Sequence, residues 1–457
     1  MPTWADAFST TPALAQAMGD DALLREMLIF EAALARAESQ AGLVPAAAAA
    51  VIAEVCANLV FDADALFAGG AKAGTLAIPL VKELTAQVRQ RDPAAAAWVH
   101  FGATSQDALD TALVLQLDRA LALIEADLVR LAQAAARLAG KHRTTPMLGR
   151  TLLQPATPIT FGLKTAQWLA AAADCHMRLR RSAAEALLVQ FGGAAGTLGS
   201  LGSRADEIAR LLNEALTPAR APKSGAAALP WHTRRGALVA LAAELGIVTG
   251  LCAKIARDIS LMMQFELSEV AEPAEAGRGG SSAMPHKRNP VRCMLTLSAG
   301  LRAPQLVAVL MSAMAQEHER ALGGWQAEWA ALPELVKICG GALANMADAL
   351  EGLVVDEGRM RADLDALRGL PMTEMAALAL AQKIGRDEAH NIVEQAARKT
   401  TAGGDGTLAD ALAADARVTE HFSREAIERL LDPMEAQGAT QKFIDLALER
   451  WEGALAG

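Results

Sequence analysis

The chain has 457 residues, 52% of them hydrophobic, and a formal net charge of −9. The apolar content excludes a largely disordered chain, and the acidic balance argues against a nucleic-acid binder, which carries a basic surplus. A chain this long exceeds one compact core and points to about two to four domains.

Tyrosine is absent, and alanine and leucine dominate. Strong helix formers therefore outweigh β-branched and aromatic residues, and an all-α fold is expected. The opening MPTWADAFSTTPALAQAMGD lacks a basic stretch followed by an apolar core, so no signal peptide is expected. Short helices follow, with caps and breaks at Asp20, Gly42 to Pro45, Gly69 to Gly70 and Asp92 to Pro93, and define an N-terminal helical domain over 1–105. A long helix is predicted from Gln106 to about Leu138, stopping at Gly140. It is apolar on more than one side and needs neighbours on several faces, which implies a bundle.

Further long helices are predicted at about 157–190, 232–271, 291–320 and 328–352, joined by glycine- and proline-rich segments. Together they form a central helical-bundle domain over 106–352. At roughly 45 to 60 Å these helices exceed what a lone globular monomer needs. Their surplus apolar surface predicts packing against copies of the same chain. Apolar runs such as LVALAAELGIVTGLCAKIA are expected to be broken by charge before about 18 residues, so no membrane span is predicted. Shorter helices and the turn RKTTAGGDGTLAD make a C-terminal helical domain over 353–457. The five cysteines show no paired or metal-ligand spacing and read as buried thiols of a cytoplasmic protein with no metal.

Five stretches carry candidate chemistry. In HFGATSQD, Thr104 and Asp107 have the spacing of a capping box, which alone would explain them. The same helix start offers His100, the Thr104 and Ser105 hydroxyls and free backbone N–H groups to a carboxylate. GRTLLQPATPITFG reads equally as a bend entering a helix or as a polar site built from Thr151, Gln154 and Thr157, with Leu153 beside them. LPWHTRR gathers Trp231, His232 and Arg234 where a charged anion would meet them, although most such runs are solvated edges. EHERALGGWQAEW is expected to be the charged end of a helix. GRGGSSAMPHKRNP (Gly277 to Pro290) combines permissive glycines with Ser281, Ser282, Met284, Lys287 and Asn289. It lacks the phosphate-binding P-loop pattern and is expected to be a mobile loop that closes over a carboxylate substrate.

GSSAMPHKRNP resembles the signature loop of the fumarase/aspartase superfamily, and TSQDALDT and GRTLLQPATPITFG resemble its other two signature regions in the expected order. The resemblance implies an all-α subunit of three domains, a homotetramer on a central helical bundle, and active sites shared between subunits, with no cofactor and no metal. It also implies chemistry through a doubly charged aci-carboxylate, which hydroxyls, amides and cations must stabilise. Ser281 is the serine that the resemblance makes the proton-transfer group, with Ser282 and Lys287 beside it. Thr104 and Ser105 then bind one carboxylate, Lys287 and Asn289 another, and His232 with Arg234 a third.

Two positions depart from the lyase members. Leu152 and Leu153 occupy the region where those members carry a histidine after GRT, and GTLAIPLVKEL (Gly74 to Leu84) lacks the histidine of a T-x-H-D segment. Both departures suit the lactonizing branch, whose substrate is a tricarboxylate. There the substrate's own carboxylate, ionised at neutral pH, is nucleophile in one direction and leaving group in the other, so it needs no base and no acid. Holding the substrate folded, with Leu153 and Trp231 shaping the pocket, favours the intramolecular attack. The alternatives are an adenylosuccinate-type lyase and an inactive structural protein on the same scaffold.

Overall fold

The structure is a computed structural model that describes residues 4–221, 229–280, 284, 286–402 and 406–456. It is all-α, as expected, with two small two-stranded pairings. The predicted long helix is Ser105–Lys141. Leu117, Leu121, Ile124, Leu128, Leu131 and Ala135 are buried along it at alternating steps of four and three, the pattern of a helix seam. Ala108, Ala112 and Ala134 are buried on other faces, where their small side chains admit close neighbours. Gly140 lies inside the last turn and does not end the helix.

The helix expected over 157–190 starts only at Phe161, and runs Phe161–Ala186. Ahead of it, Pro146–Thr151 pairs antiparallel with Gln154–Thr160. Pro155 and Pro158 deny this stretch helical hydrogen bonds, and the threonines and Ile159 favour the extended form. The other long helices are Gly236–Met262, Val291–Ser312 and Gly324–Glu351. The 232–271 prediction loses both ends: Trp231 and His232 turn inward before Gly236, and Val270–Ala271 pairs as a strand with Val354–Val355.

Charge does not break every apolar run as expected. Gly236–Met262 and Val291–Ser312 are each long and apolar enough, by length and composition, to cross a membrane. Alanine, valine and leucine fill both helices, and the charges inside them, such as Glu244 and Arg302, are too few to break the apolar run. In Val291–Ser312 only 28% of the apolar window is buried, and Met294, Leu301, Val309 and Met311 are exposed.

The chain divides into two compact units, one of Met1–Asp127, Cys175–Cys252 and Leu295–Ala344, the other of Leu128–Asp174, Ala253–Met294 and Asn345–Gly457. In the first, helices Asp20–Gln40 and Ala46–Asn58 pack together, with Ala205–Leu216 against Asp20–Gln40. Their core includes Leu24, Phe30, Ile52, Leu84 and Leu212. In the second, Thr373–Ile384 and Arg386–Thr401 pack around Leu380, Ile392 and Leu412.

Candidate active site

In the first unit, the start of Ser105–Lys141 is organised by one carboxylate. Asp107 is fully buried and accepts hydrogen bonds from the N–H groups of Thr104 (3.0 Å), Gly192 (3.0 Å) and Gly193 (2.9 Å). His232 Nε2 lies 2.7 Å from it. The Thr104 bond is half of the predicted capping box. Asp107's own N–H goes to the Thr104 carbonyl (2.9 Å), so the Thr104 hydroxyl takes no part in the cap. Gly192 is required by proximity, since a Cβ there would stand 2.8 Å from the His232 ring.

A second buried layer lies on the same helix. Arg235 is 1% exposed and donates to Asp110 through Nη1 (2.7 Å) and Nη2 (3.2 Å) and to Glu328 through Nε (3.0 Å). Asp110 also accepts from Trp325 Nε1 (3.0 Å) and Gln106 Nε2 (3.0 Å), and Gln316 donates to Glu328 (3.1 Å). The Arg235 guanidinium lies 4.6 Å from the Trp231 ring centroid. Burial alone would lower the Arg235 pKa, but the Asp110 and Glu328 carboxylates override it and raise it. Burial raises that of Glu328, against the pull of Arg235.

His100 belongs to the same unit. Its Nδ1 is 2.6 Å from Glu31 Oε1, and its backbone is left-handed, with φ of 58°. Burial opposes its protonation, yet Glu31 and Asp107 together carry its pKa above the ordinary histidine value.

In the second unit, Thr151–Gln154 turns the hairpin tip. Leu152 and Leu153 both have left-handed backbones, with φ of 53° and 64°, and are 96% and 74% exposed. Arg150, beside the tip, donates twice to the buried Glu269 at 2.9 Å and anchors that end of the hairpin. In the glycine-rich loop, Gly279 has φ of 72°, and its carbonyl accepts the Asn289 N–H at 2.8 Å. Met284 and Lys287 are exposed and Asn289 is half-buried. Glu272 accepts the N–H groups of Arg292 (3.2 Å) and Cys293 (2.8 Å), capping the helix that follows. Ser281 and Ser282 lie outside the described residues.

The structure thus brings together His100, Thr104, Ser105, Trp231 and His232 in one unit, and leaves Thr151, Leu153, Gln154, Met284 and Lys287 exposed on the other. Arg234 is exposed and donates to the Leu229 carbonyl (3.3 Å), while its neighbour Arg235 is the buried cation. The 317–329 stretch is more than a charged helix end, because Trp325 and Glu328 face inward to that cation. Asp110, Glu328 and Glu31 are the residues that sequence reasoning passed over, while in sequence Asp107 reads only as a helix cap and Arg234 is preferred to Arg235.

A helical chain with three signature regions, one built around Asp107, has the form of a fumarase/aspartase-type lyase, and the chain belongs to that superfamily. The family described as Lyase matches residues 6–304, and adenylosuccinate lyase C-terminus matches residues 369–447. The chain is 47% identical to 3-carboxy-cis,cis-muconate cycloisomerase of Bradyrhizobium diazoefficiens, over 97% of each chain. It is 43% identical to nitrosuccinate lyase of Streptomyces davaonensis, over 94% of this chain and 91% of that one. The crystal structure of 3-carboxy-cis,cis-muconate lactonizing enzyme from Pseudomonas putida superposes with a TM-score of 0.92 at 43% identity, covering 99% of this chain and 100% of that one. Lyases of this superfamily act on small molecules and commonly form homotetramers.

Proposed function

We propose that this chain closes 3-carboxy-cis,cis-muconate to 4-carboxymuconolactone, a step in protocatechuate breakdown. The observation that carries the reading is the hairpin tip, which presents two exposed leucines where a proton-transferring histidine would stand, in a chain 47% identical to a cycloisomerase over its whole length. The distal carboxylate of the substrate attacks the carbon bearing the 3-carboxylate, forming the ring C–O bond. The electron pair of the double bond moves onto the neighbouring carboxylate as an aci-carboxylate. A proton delivered alpha to that carboxylate completes the lactone. One proton is consumed per turnover, because one carboxylate becomes an ester.

Ser281 is the proposed proton donor, beside Ser282. Lys287 and Asn289 stabilise the aci-carboxylate, and Thr104, Ser105 and His100 bind another carboxylate. His232, with its ring oriented by Asp107, faces the third, together with the exposed Arg234. Leu153, Gln154, Thr151 and Met284 shape the apolar and polar walls. The reading includes a homotetramer in which copies contribute different signature regions, supported by the exposure of the hairpin tip, the loop and the apolar face of Val291–Ser312. It keeps the division into domains 1–105, 106–352 and 353–457 and a cytoplasmic location, the latter supported by five buried cysteines that form no disulfide.

The second reading is loss of nitrite from a nitrosuccinate, favoured by the 43% identity to nitrosuccinate lyase. It makes the same demand on the site, since nitrite also leaves as a stable anion without protonation. Ultraviolet absorbance separates the two, because lactonisation removes a conjugated diene. Loss of absorbance from 3-carboxy-cis,cis-muconate, with the lactone identified by NMR, is the expected result. An unchanged spectrum with turnover of nitrosuccinate or adenylosuccinate would replace the reading, and no turnover of any substrate would favour an inactive scaffold.

A further inference from the structure

We infer that Glu31 is a positioning residue for substrate binding: it holds the His100 ring so that Nε2 is presented as a cationic donor to a substrate carboxylate at the helix start of Thr104 and Ser105. This inference rests on the reading above that His100 binds substrate.

Glu31 is 2% exposed and its Oε1 lies 2.6 Å from His100 Nδ1, a separation at which the two groups share a proton. Its other oxygen has no hydrogen-bond partner among the described residues. The carboxylate is therefore committed to one imidazole in a place where burying a charge is costly. The His100 ring has no other hydrogen-bond partner among the described residues, which leaves Nε2 as its outward nitrogen. The left-handed backbone at His100 is a conformation that non-glycine residues avoid, and strain of this kind persists where the surroundings over-determine it. The surroundings do so here: two residues on, Gly102 packs against Leu201 so tightly that a Cβ would stand 2.5 Å from it.

The charges acting on the ring are Glu31, from helix Asp20–Gln40, and Asp107, from helix Ser105–Lys141. Glu38 and the Cys56 thiol lie around Glu31, with Arg36 near Cys56. Burial and the Glu31 charge push Glu38 up to about 9, so it is protonated at neutral pH and does not compete for the imidazolium. His100 gains its proton affinity from Glu31 and Asp107 against burial, so its cationic form is present at low pH and lost as pH rises through its raised pKa.

In Glu31→Gln the raising charge is gone and burial remains, so the loss of cationic His100 moves to lower pH. At pH 7.5, KM for 3-carboxy-cis,cis-muconate is expected to rise about tenfold, as for loss of a charge-assisted hydrogen bond, with kcat changed less than about twofold and the gap narrowing at pH 6. A variant with lower thermal stability but unchanged KM and a parallel pH profile would overturn the inference. If the variant does not fold, the full-length wild-type protein decides: an NMR titration of its eight histidines, labelled at Cε1, should show His100 titrating above the ordinary value. A midpoint at or below that value overturns the inference. This titration needs no substrate, so its outcome is separate from failure of the cycloisomerase reading.

Discussion

Replacing Glu38 by methionine should stabilise the protein, and by an amount that grows with pH. Glu38 is fully buried, and neither carboxyl oxygen has a hydrogen-bond partner among the described residues. Burial, reinforced by the charge of Glu31, moves its pKa from the ordinary 4.5 to about 9. Between these values the folded chain keeps the proton while the unfolded chain releases it, so raising the pH favours the unfolded state. The cost is absent below the unfolded pKa, grows by about 1.4 kcal/mol per pH unit, and levels off above the folded one. At pH 7 it is on the order of 3 kcal/mol, a large share of the stability of a typical domain. Methionine fills a similar volume and has no proton to release. The assay is urea unfolding of both proteins at fixed concentration from pH 5 to pH 8, since assembly would otherwise shift the apparent stability. Glu38→Met should gain on the wild type steadily across the range. Parallel curves would show that Glu38 is ionised in the folded state and that the argument from burial fails.

Arg235→Met leaves Asp110 and Glu328 buried without their shared cation, and should cost about 3–5 kcal/mol in guanidinium unfolding. The double variant Arg235→Met with Glu328→Met should recover part of that loss. Leu153→Gly removes one left-handed leucine and should raise stability by about 1–2 kcal/mol while raising KM, because the tip loses its apolar side chain. A stabilised variant with unchanged kinetics would remove Leu153 from the site. Ser281→Ala should lower kcat by about 10²–10⁴-fold in a correctly folded protein, and retention of a tenth of the activity would exclude it as proton donor.

The parts of the fold that depend on local pattern were readable. The 3.6-residue periodicity of the Ser105–Lys141 helix, its bracing on several faces, and the Thr104–Asp107 half-cap follow from neighbouring residues alone. The hairpin at 146–160 was hidden because only a few residues form it, and the helix behind it dominates the composition. The choice between Arg234 and Arg235 was not local. Two adjacent arginines have equal claims in sequence, and the one that turns inward is decided by carboxylates 125 and 93 positions away. Asp107 likewise reads as a helix cap, and its larger task depends on Gly192, Gly193 and His232, none of them near it in sequence. The apolar helices misled for another reason. Whether a long apolar helix face is covered by protein or suited to lipid is not written in its composition.

The Arg235 cluster also fixes a schedule. Asp110 and Trp325 are 215 positions apart, so at ribosomal speeds of about 5–20 residues per second roughly 10 to 40 seconds separate their appearance. Arg235 emerges 125 residues after Asp110, but the indole of Trp325 and the second carboxylate, Glu328, come only at the end of that interval. The first unit therefore cannot close as a small early domain, and the nascent chain must stay protected until more than two thirds of it has been translated. A chain that stops before Trp325 can pair Asp110 with Arg235 but lacks the indole and Glu328, so the buried cluster of the first unit stays incomplete.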